Sequence, residues 1–174
     1  MIFTETKLLG AYIIDLERQE DSRGFFARTF CSREFRNKRL VGTFVQCNMS
    51  WNARRATVRG MHYQLPPPCE VKLVRCAAGA LWDVIVDLRP KSPTHLQSFG
   101  VELWARNRMA LYIPEMFAHG FQTLEDGTEV FYQMSEFYMP NRSTGLRYND
   151  PKIGIEWPLP VSSISEKDRQ WAVR

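Results

Sequence analysis

A guanidinium, a histidine and an amide fall within six residues in Arg59-Gly60-Met61-His62-Tyr63-Gln64, on a stretch that otherwise reads as a strand. Imidazole is the side chain whose ordinary pKa lies nearest neutrality, so His62 is the first candidate for moving a proton. The alternative is a hydrogen-bonded core histidine, and the surrounding residues must separate the two. Extended backbone alternates its side chains, which predicts Val58, Gly60, His62 and Gln64 on one face and Arg59, Met61 and Tyr63 on the other. Further candidates for the same pocket follow: Lys72, His119 in Ala118-His119-Gly120-Phe121, Tyr132 in Val130-Phe131-Tyr132, and Asp168 in Ser165-Glu166-Lys167-Asp168. In this order and at these spacings they point to a catalytic site.

Each group has a chemical reading and a plainer one. Asp168 could orient the His62 imidazole if the C-terminal segment folds back over its strand; otherwise it is a helix-start or surface charge. A phenol is a plausible proton donor but a poor resting base, so Tyr132 is either an acid or a core tyrosine with a satisfied hydroxyl. The strand predicted over 130–138 puts Val130, Tyr132, Met134, Glu136 and Tyr138 on one face, which aims two phenols at one cavity. Lys72, between Val71 and Leu73, either snorkels at a sheet edge or enters a pocket, where a fixed cation stabilises a developing enolate oxygen. His119 could donate to that oxygen or to a phosphate. A metal site of the kind small β-barrels carry needs an H-x-H-like pair with a further His and a carboxylate. Here Gln64 stands two after His62, His95 falls in a predicted loop near Pro93, and the chain has three histidines in all. The expectation is a site without metal.

These residues need a scaffold, and the chain reads as all-β. Strand-like runs at 11–16, 24–30, 43–49, 57–64, 71–76, 81–88, 98–104, 110–113, 120–124 and 130–138 are punctuated by turns at Ala78-Gly79, Asn107 and Asp126-Gly127. That rhythm is the rhythm of a sandwich or barrel. In 81–88, Trp82, Val84, Val86 and Leu88 alternate with Asp83 and Asp87, which predicts a half-buried antiparallel strand. Helix is confined to 32–40, behind a Ser32 cap, and to a capped turn at 165–168. With 174 residues, 44% of them hydrophobic, the chain suffices for one domain over 1–174. It shows neither a signal-peptide start nor an apolar run of membrane-spanning length, and Cys31, Cys47, Cys69 and Cys76 form no CxxC pair. A cytoplasmic protein with reduced thiols is expected. The net charge of +4 includes 17 Arg against 6 Lys, a bias that suits a phosphate-bearing ligand. The arginines are scattered rather than gathered on an arm or helix, which argues against nucleic acid.

In order and spacing these residues resemble the dTDP-4-dehydrorhamnose 3,5-epimerase family. The resemblance runs through Arg23-Gly24-Phe25-Phe26, Gln46-Cys47-Asn48, Arg59 to Gln64, Lys72-Leu73-Val74-Arg75, Asp83 to Arg89, Ala118 to Phe121, Tyr132, Tyr138, Asn149-Asp150-Pro151, Trp157-Pro158 and Ser165 to Asp168. It implies a cupin-like, double-stranded β-helix jelly roll with short peripheral helices. It further implies His62 as base, Asp168 as its partner, Tyr132 as acid from the opposite face, and Lys72 with His119 around the sugar keto oxygen. Arg23, Gln46, Asn48, Arg59 and Lys167 would hold the nucleotide diphosphate and its surroundings. Phe26, Arg28 and Tyr138 join them as substrate-binding positions, Phe26 through a stacking surface shared with Phe25. The implied reaction removes and returns a proton beside the C4 ketone of a nucleotide-linked 4-keto-6-deoxy sugar and requires no cofactor. The implied assembly is a homodimer whose N-terminal strands exchange contacts, with no nucleic-acid or membrane partner.

Two positions depart from the family pattern. Arg28 stands where the family commonly has a Glu that contacts the nucleobase, and Ser143 occupies the region of a second Glu. A guanidinium offers donors only, so a CDP-linked or other nucleotide sugar becomes an alternative to the dTDP-linked one. The other readings carried forward are inversion at C3 or C5 alone, a metal-dependent cupin enzyme, and a non-catalytic nucleotide-sugar binding module.

Overall fold

The computed structural model describes residues 1–67 and 69–174. In chain order the elements are β1 (Ile2–Glu5), β2 (Tyr12–Asp15), β3 (Gln19–Asp21), β4 (Gly24–Phe26), α1 (Ser32–Asn37), β5 (Gln46–Asn52), β6 (Thr57–Gln64) and β7 (Lys72–Ala78). They continue with β8 (Ala80–Asp87), β9 (Ser98–Trp104), β10 (Ala110–Ile113), β11 (Phe117–Thr123), β12 (Thr128–Met134), β13 (Ser143–Gly145), β14 (Ser163–Ile164) and α2 (Glu166–Arg169). One sheet has the order β1-β2-β10-β7-β12-β5 and the other β13-β6-β11-β8-β9, with β14 joining β6 in parallel. β3 and β4 form a separate hairpin. Most neighbours are distant in sequence, as in a jelly roll.

The two sheets close over a core of Val74, Cys76, Leu111, Ile113 and Val130 from the first and Leu81, Ile85, Leu103, Phe117 and Phe121 from the second. Each such fully buried side chain is worth about 1.5–3 kcal/mol relative to exposure. β8 is not the half-buried strand that its alternation predicts. Its period of two is real, but Asp83 and Asp87 point inward and are fully buried. The apolar set faces outward, where Val84, Val86 and Leu88 pack under Leu146, Ile153, Ile155 and Trp157 of the C-terminal segment. Burial raises the Asp87 carboxyl, but hydrogen bonds from Arg89, Ser92 and Thr94 outweigh it and hold the group well below the usual carboxylate range.

The outer face of the first sheet is only partly covered. Ile14, Leu73, Ala110 and Tyr112 lie under Phe30, Phe35, Leu40 and Phe44. Phe35 meets Phe3, Phe30 and Phe44 edge to face. The helix beneath them is shorter than predicted, and its N-cap position is Cys31, which makes no side-chain cap, rather than Ser32. Farther along the same face, Met49 and Trp51 on β5 remain 61% and 62% exposed.

The decisive local feature is on β6. His119 pairs with His62 and Phe121 with Arg59, so two residues on β6 oppose one on β11. This bulge reverses the alternation between Arg59 and His62 and turns both toward the interior, correcting the expected split. Met61 and Tyr63 go outward to the second cluster. Glycine is required on both strands: a Cβ on Gly60 (φ +115) would lie 2.6 Å from the Gly120 Cα, and one on Gly120 would lie 2.7 Å from the Arg59 carbonyl oxygen.

Candidate active site

Between the sheets lies a cavity of about 160 Å³ lined by Ser50, Arg59, His62, Lys72, His119, Gly120, Phe121 and Tyr132. A second, of about 170 Å³, shares His62, Lys72 and Tyr132 and adds Asn48, Gln64, Glu70, Tyr138, Ser143 and Lys167. The first sheet supplies Asn48 and Ser50 from β5, Lys72 from β7 and Tyr132 from β12. The second supplies Arg59 and His62 from β6 and His119 from β11. His62 and Tyr132 therefore reach the cavity from opposite walls.

The C-terminal segment does fold back over β6. Ser165 caps α2 by accepting the Asp168 N–H at 3.1 Å, which sets the carboxylate beside the imidazole. Asp168 Oδ1 lies 2.6 Å from His62 Nε2, and Trp171 Nε1 donates to the same oxygen at 3.2 Å. Oδ2 accepts the Gly60 N–H at 3.1 Å. Burial raises the Asp168 carboxyl, but the His62 contact and these two N–H donors prevail and hold it below its ordinary value. A carboxylate against Nε2 favours the proton on that nitrogen, which leaves the Nδ1 lone pair free to accept one. The side chain of His62 is 40% exposed, open to a ligand.

Tyr132 sits opposite Asn48 in the β5–β12 register. Burial lifts its phenol above the ordinary range, with Asn48 and the Arg59 charge pulling the other way, so it is neutral at physiological pH and able to donate. Lys72 is not at an edge, since β7 lies between β10 and β12. Its ammonium is buried and paired with Glu70 at 2.8 Å. His119 Nε2 contacts Asp83 Oδ1 at 2.5 Å, a second imidazole–carboxylate pair directly across from the first. Asp83 Oδ2 and Ser50 Oγ are buried with no partner among the described residues. Arg59 is aimed by Asn52 Oδ1 at 2.6 Å, and its fork can take a phosphate. Together these groups can remove a proton from carbon, hold an oxyanion and return a proton from the other side. Among the described residues no group of three His, Cys, Asp or Glu could hold a metal ion.

The remaining predicted residues divide. Gln46 accepts the Tyr138 N–H at 3.1 Å and reaches Asn48 at 3.4 Å, and Lys167 stands over the Trp171 ring at the rim. Tyr138 arrives from a loop, because β12 ends at Met134. Arg23, Phe26 and Arg28 line neither cavity within one chain. Arg23 is 87% exposed and bonded to Asp21, Phe26 is 71% exposed, and Arg28 pairs with Glu34 at 3.1 Å. Sequence reasoning assigned no role to Glu70, Ser50 or Trp171 and read Asp83 as solvent-facing. Glu70 carried a signal, an acid two residues before a strand lysine.

The profile of the family described as dTDP-4-dehydrorhamnose 3,5-epimerase matches residues 5–173. A curated protein of that name from Methanothermobacter thermautotrophicus is 44% identical over 97% of this chain and 92% of its own length. Among solved structures, the dTDP-4-dehydrorhamnose 3,5-epimerase of Elizabethkingia anophelis NUHP1 superposes with a TM-score of 0.96 at 35% identity, covering 99% of this chain and 96% of that one. The dTDP-6-deoxy-D-glucose-3,5-epimerase RmlC of Legionella pneumophila Philadelphia 1, solved with dTDP-4-keto-L-rhamnose, gives 0.92 at 33% identity, covering 99% and 92%. With the fold, the profile and these relatives in agreement over almost its whole length, the chain belongs to the dTDP-4-dehydrorhamnose 3,5-epimerase family.

Proposed function

We propose that the protein inverts C3 and C5 of dTDP-4-dehydro-6-deoxy-D-glucose, giving dTDP-4-dehydro-L-rhamnose. The observation that carries this is the His62–Asp168 pair on one wall of a cavity whose other wall presents Tyr132 and Lys72. The C4 ketone acidifies the hydrogens on both neighbouring carbons. His62 Nδ1 takes one of them, the C–H electrons form a double bond to C4 while the C4–O π pair moves onto the oxygen, and the Lys72 ammonium and His119 stabilise the resulting enolate. Tyr132 then delivers a proton to the same carbon from the other wall, which inverts it. His62 then loses its proton to solvent and Tyr132 regains one from it, and the chemistry is repeated at the second carbon after the ring reseats. No electrons leave the sugar, so the steps balance without an oxidant.

Arg59, Gln46, Asn48, Tyr138 and Lys167 fit the diphosphate and nucleoside around this cavity. A homodimer completes the site in this reading. The exposed Met49 and Trp51 face supports a second copy, and the free β3–β4 hairpin supports Arg23 and Phe26 reaching the partner's nucleotide. Arg28 follows that hairpin by two residues and is paired with Glu34, which supports a place for it at the base edge. All four thiols are free, which suits the reducing cytoplasm. Among the described residues no helix is long and apolar enough to cross a membrane. The test is to incubate purified protein with dTDP-4-dehydro-6-deoxy-D-glucose and follow the sugar by NMR. New 4-keto sugar signals epimeric to the substrate are expected, and unchanged substrate overturns the proposal.

A further inference from the structure

Glu70 is the carboxylate that lines the cavity shared by His62, Lys72 and Tyr132. Its side chain is 10% exposed, and it holds the Lys72 ammonium, itself 11% exposed, at 2.8 Å. A buried cation without a counter-charge is strongly disfavoured, so this carboxylate fixes both the charge and the direction of the ammonium. One N–H is spent on Glu70 and two remain for an oxygen in the cavity. The same negative charge works on Tyr132, where it disfavours the phenolate.

We infer that Glu70 is a positioning residue for the epimerisation, holding Lys72 against the ketone oxygen in the cavity it shares with the Tyr132 phenol. This rests on the function proposed above. The charged and polar groups around Tyr132 oppose one another. Burial is the main influence against the ionised phenol, Asn48 on β5 and Arg59 on β6 favour it, and Glu70 before β7 adds to the effect of burial. Lys72 on β7, His62 and Tyr63 on β6, His119 on β11, Tyr138 after β12 and Lys167 on α2 also face the two cavities, with Asp168 against His62 and Asp83 against His119. Asp168 and Asp83 are each engaged by a histidine, and among the described lining residues of the two cavities Glu70 is the carboxylate set against Lys72. An ion pair that merely stabilised the fold would leave the pH dependence of turnover alone.

The experiment compares wild type, Glu70→Gln and Glu70→Asp in kcat and KM across pH with the dTDP-linked 4-keto sugar. Glu70→Gln is expected to lower kcat by about tenfold with KM changed less than about threefold, and to move the basic limb of the kcat profile to lower pH. Glu70→Asp, which keeps the charge, is expected to return that limb toward wild type. A Glu70→Gln profile that coincides with wild type overturns the inference. If Glu70→Gln loses its near-UV circular dichroism, the pair Lys72→Met and Glu70→Gln/Lys72→Met is read instead. The double variant should then show the lower basic limb, and identical limbs overturn the inference. Absence of epimerisation by wild type overturns the proposed function and this inference with it, whereas an active wild type with an unmoved variant profile overturns this inference alone.

Discussion

His62 and Asp168 are 106 residues apart and meet at 2.6 Å, a contact that needs both the bulge on β6 and the serine cap on α2. His62→Ala and Tyr132→Phe are each expected to lower turnover by roughly 10²- to 10⁴-fold while calorimetry still shows dTDP binding, since neither group is assigned to the nucleotide. Retention of near wild-type turnover by either removes its role. Asp168→Asn should lower kcat by about tenfold or more, because an amide no longer favours the proton on Nε2. The pH signs follow from the two shifted groups. Asp168 is held below its ordinary value, so its stabilisation is present above about pH 4 and is lost as pH falls through the lowered value. Tyr132 is raised, so its contribution is present below about pH 10 and is lost, with its capacity to donate, as pH rises through the raised value. A kcat profile, together with acid and alkaline denaturation, checks both. The residue types at 62, 72, 119, 132 and 168 made this cluster legible in the sequence. Glu70 and Asp83 were harder to see, because an acid just before or within a strand reads as solvated until its burial is known.

At the scale of elements, ten strands were legible from their turns and period, but the short β1, β3, β13 and β14 were not, and neither was which face turned inward. β8 alternates as expected, yet its aspartates are the inner set, because the C-terminal segment covers the apolar outer set. Nothing within 81–88 records that cover. The bulge is equally invisible locally, since one extra residue shows only against the partner strand. Gly60→Ala tests it directly. A methyl group there meets backbone at 2.6 and 2.7 Å, so the variant should lose about 2 kcal/mol or more by denaturant titration and most of its activity with it. Wild-type stability in that variant would show that the strands can part at no cost. Tyr138 marks another limit of pattern reading, because the strand ends at Met134 and a loop returns the ring to the cavity.

At the scale of the molecule, the β3–β4 hairpin has no sheet of its own to join, and Arg23 and Phe26 stand clear of the cavity. The proposed dimer gives them a site, and light scattering should return twice the chain mass. Complementation is sharper. Arg23→Ala and His62→Ala variants, each impaired alone, should recover about a quarter of wild-type activity when mixed and allowed to exchange subunits, because a mixed dimer then has one intact site. No recovery despite exchange would keep the hairpin on its own chain. The central claim, proton removal and return at two carbons flanking one ketone, is tested most directly by turnover in deuterium oxide. Deuterium should appear at both C3 and C5 of the product, with His62→Ala incorporating none at a comparable rate. Label at one carbon alone would contradict inversion of both centres, and product formed without label at either would contradict the proton-transfer mechanism itself.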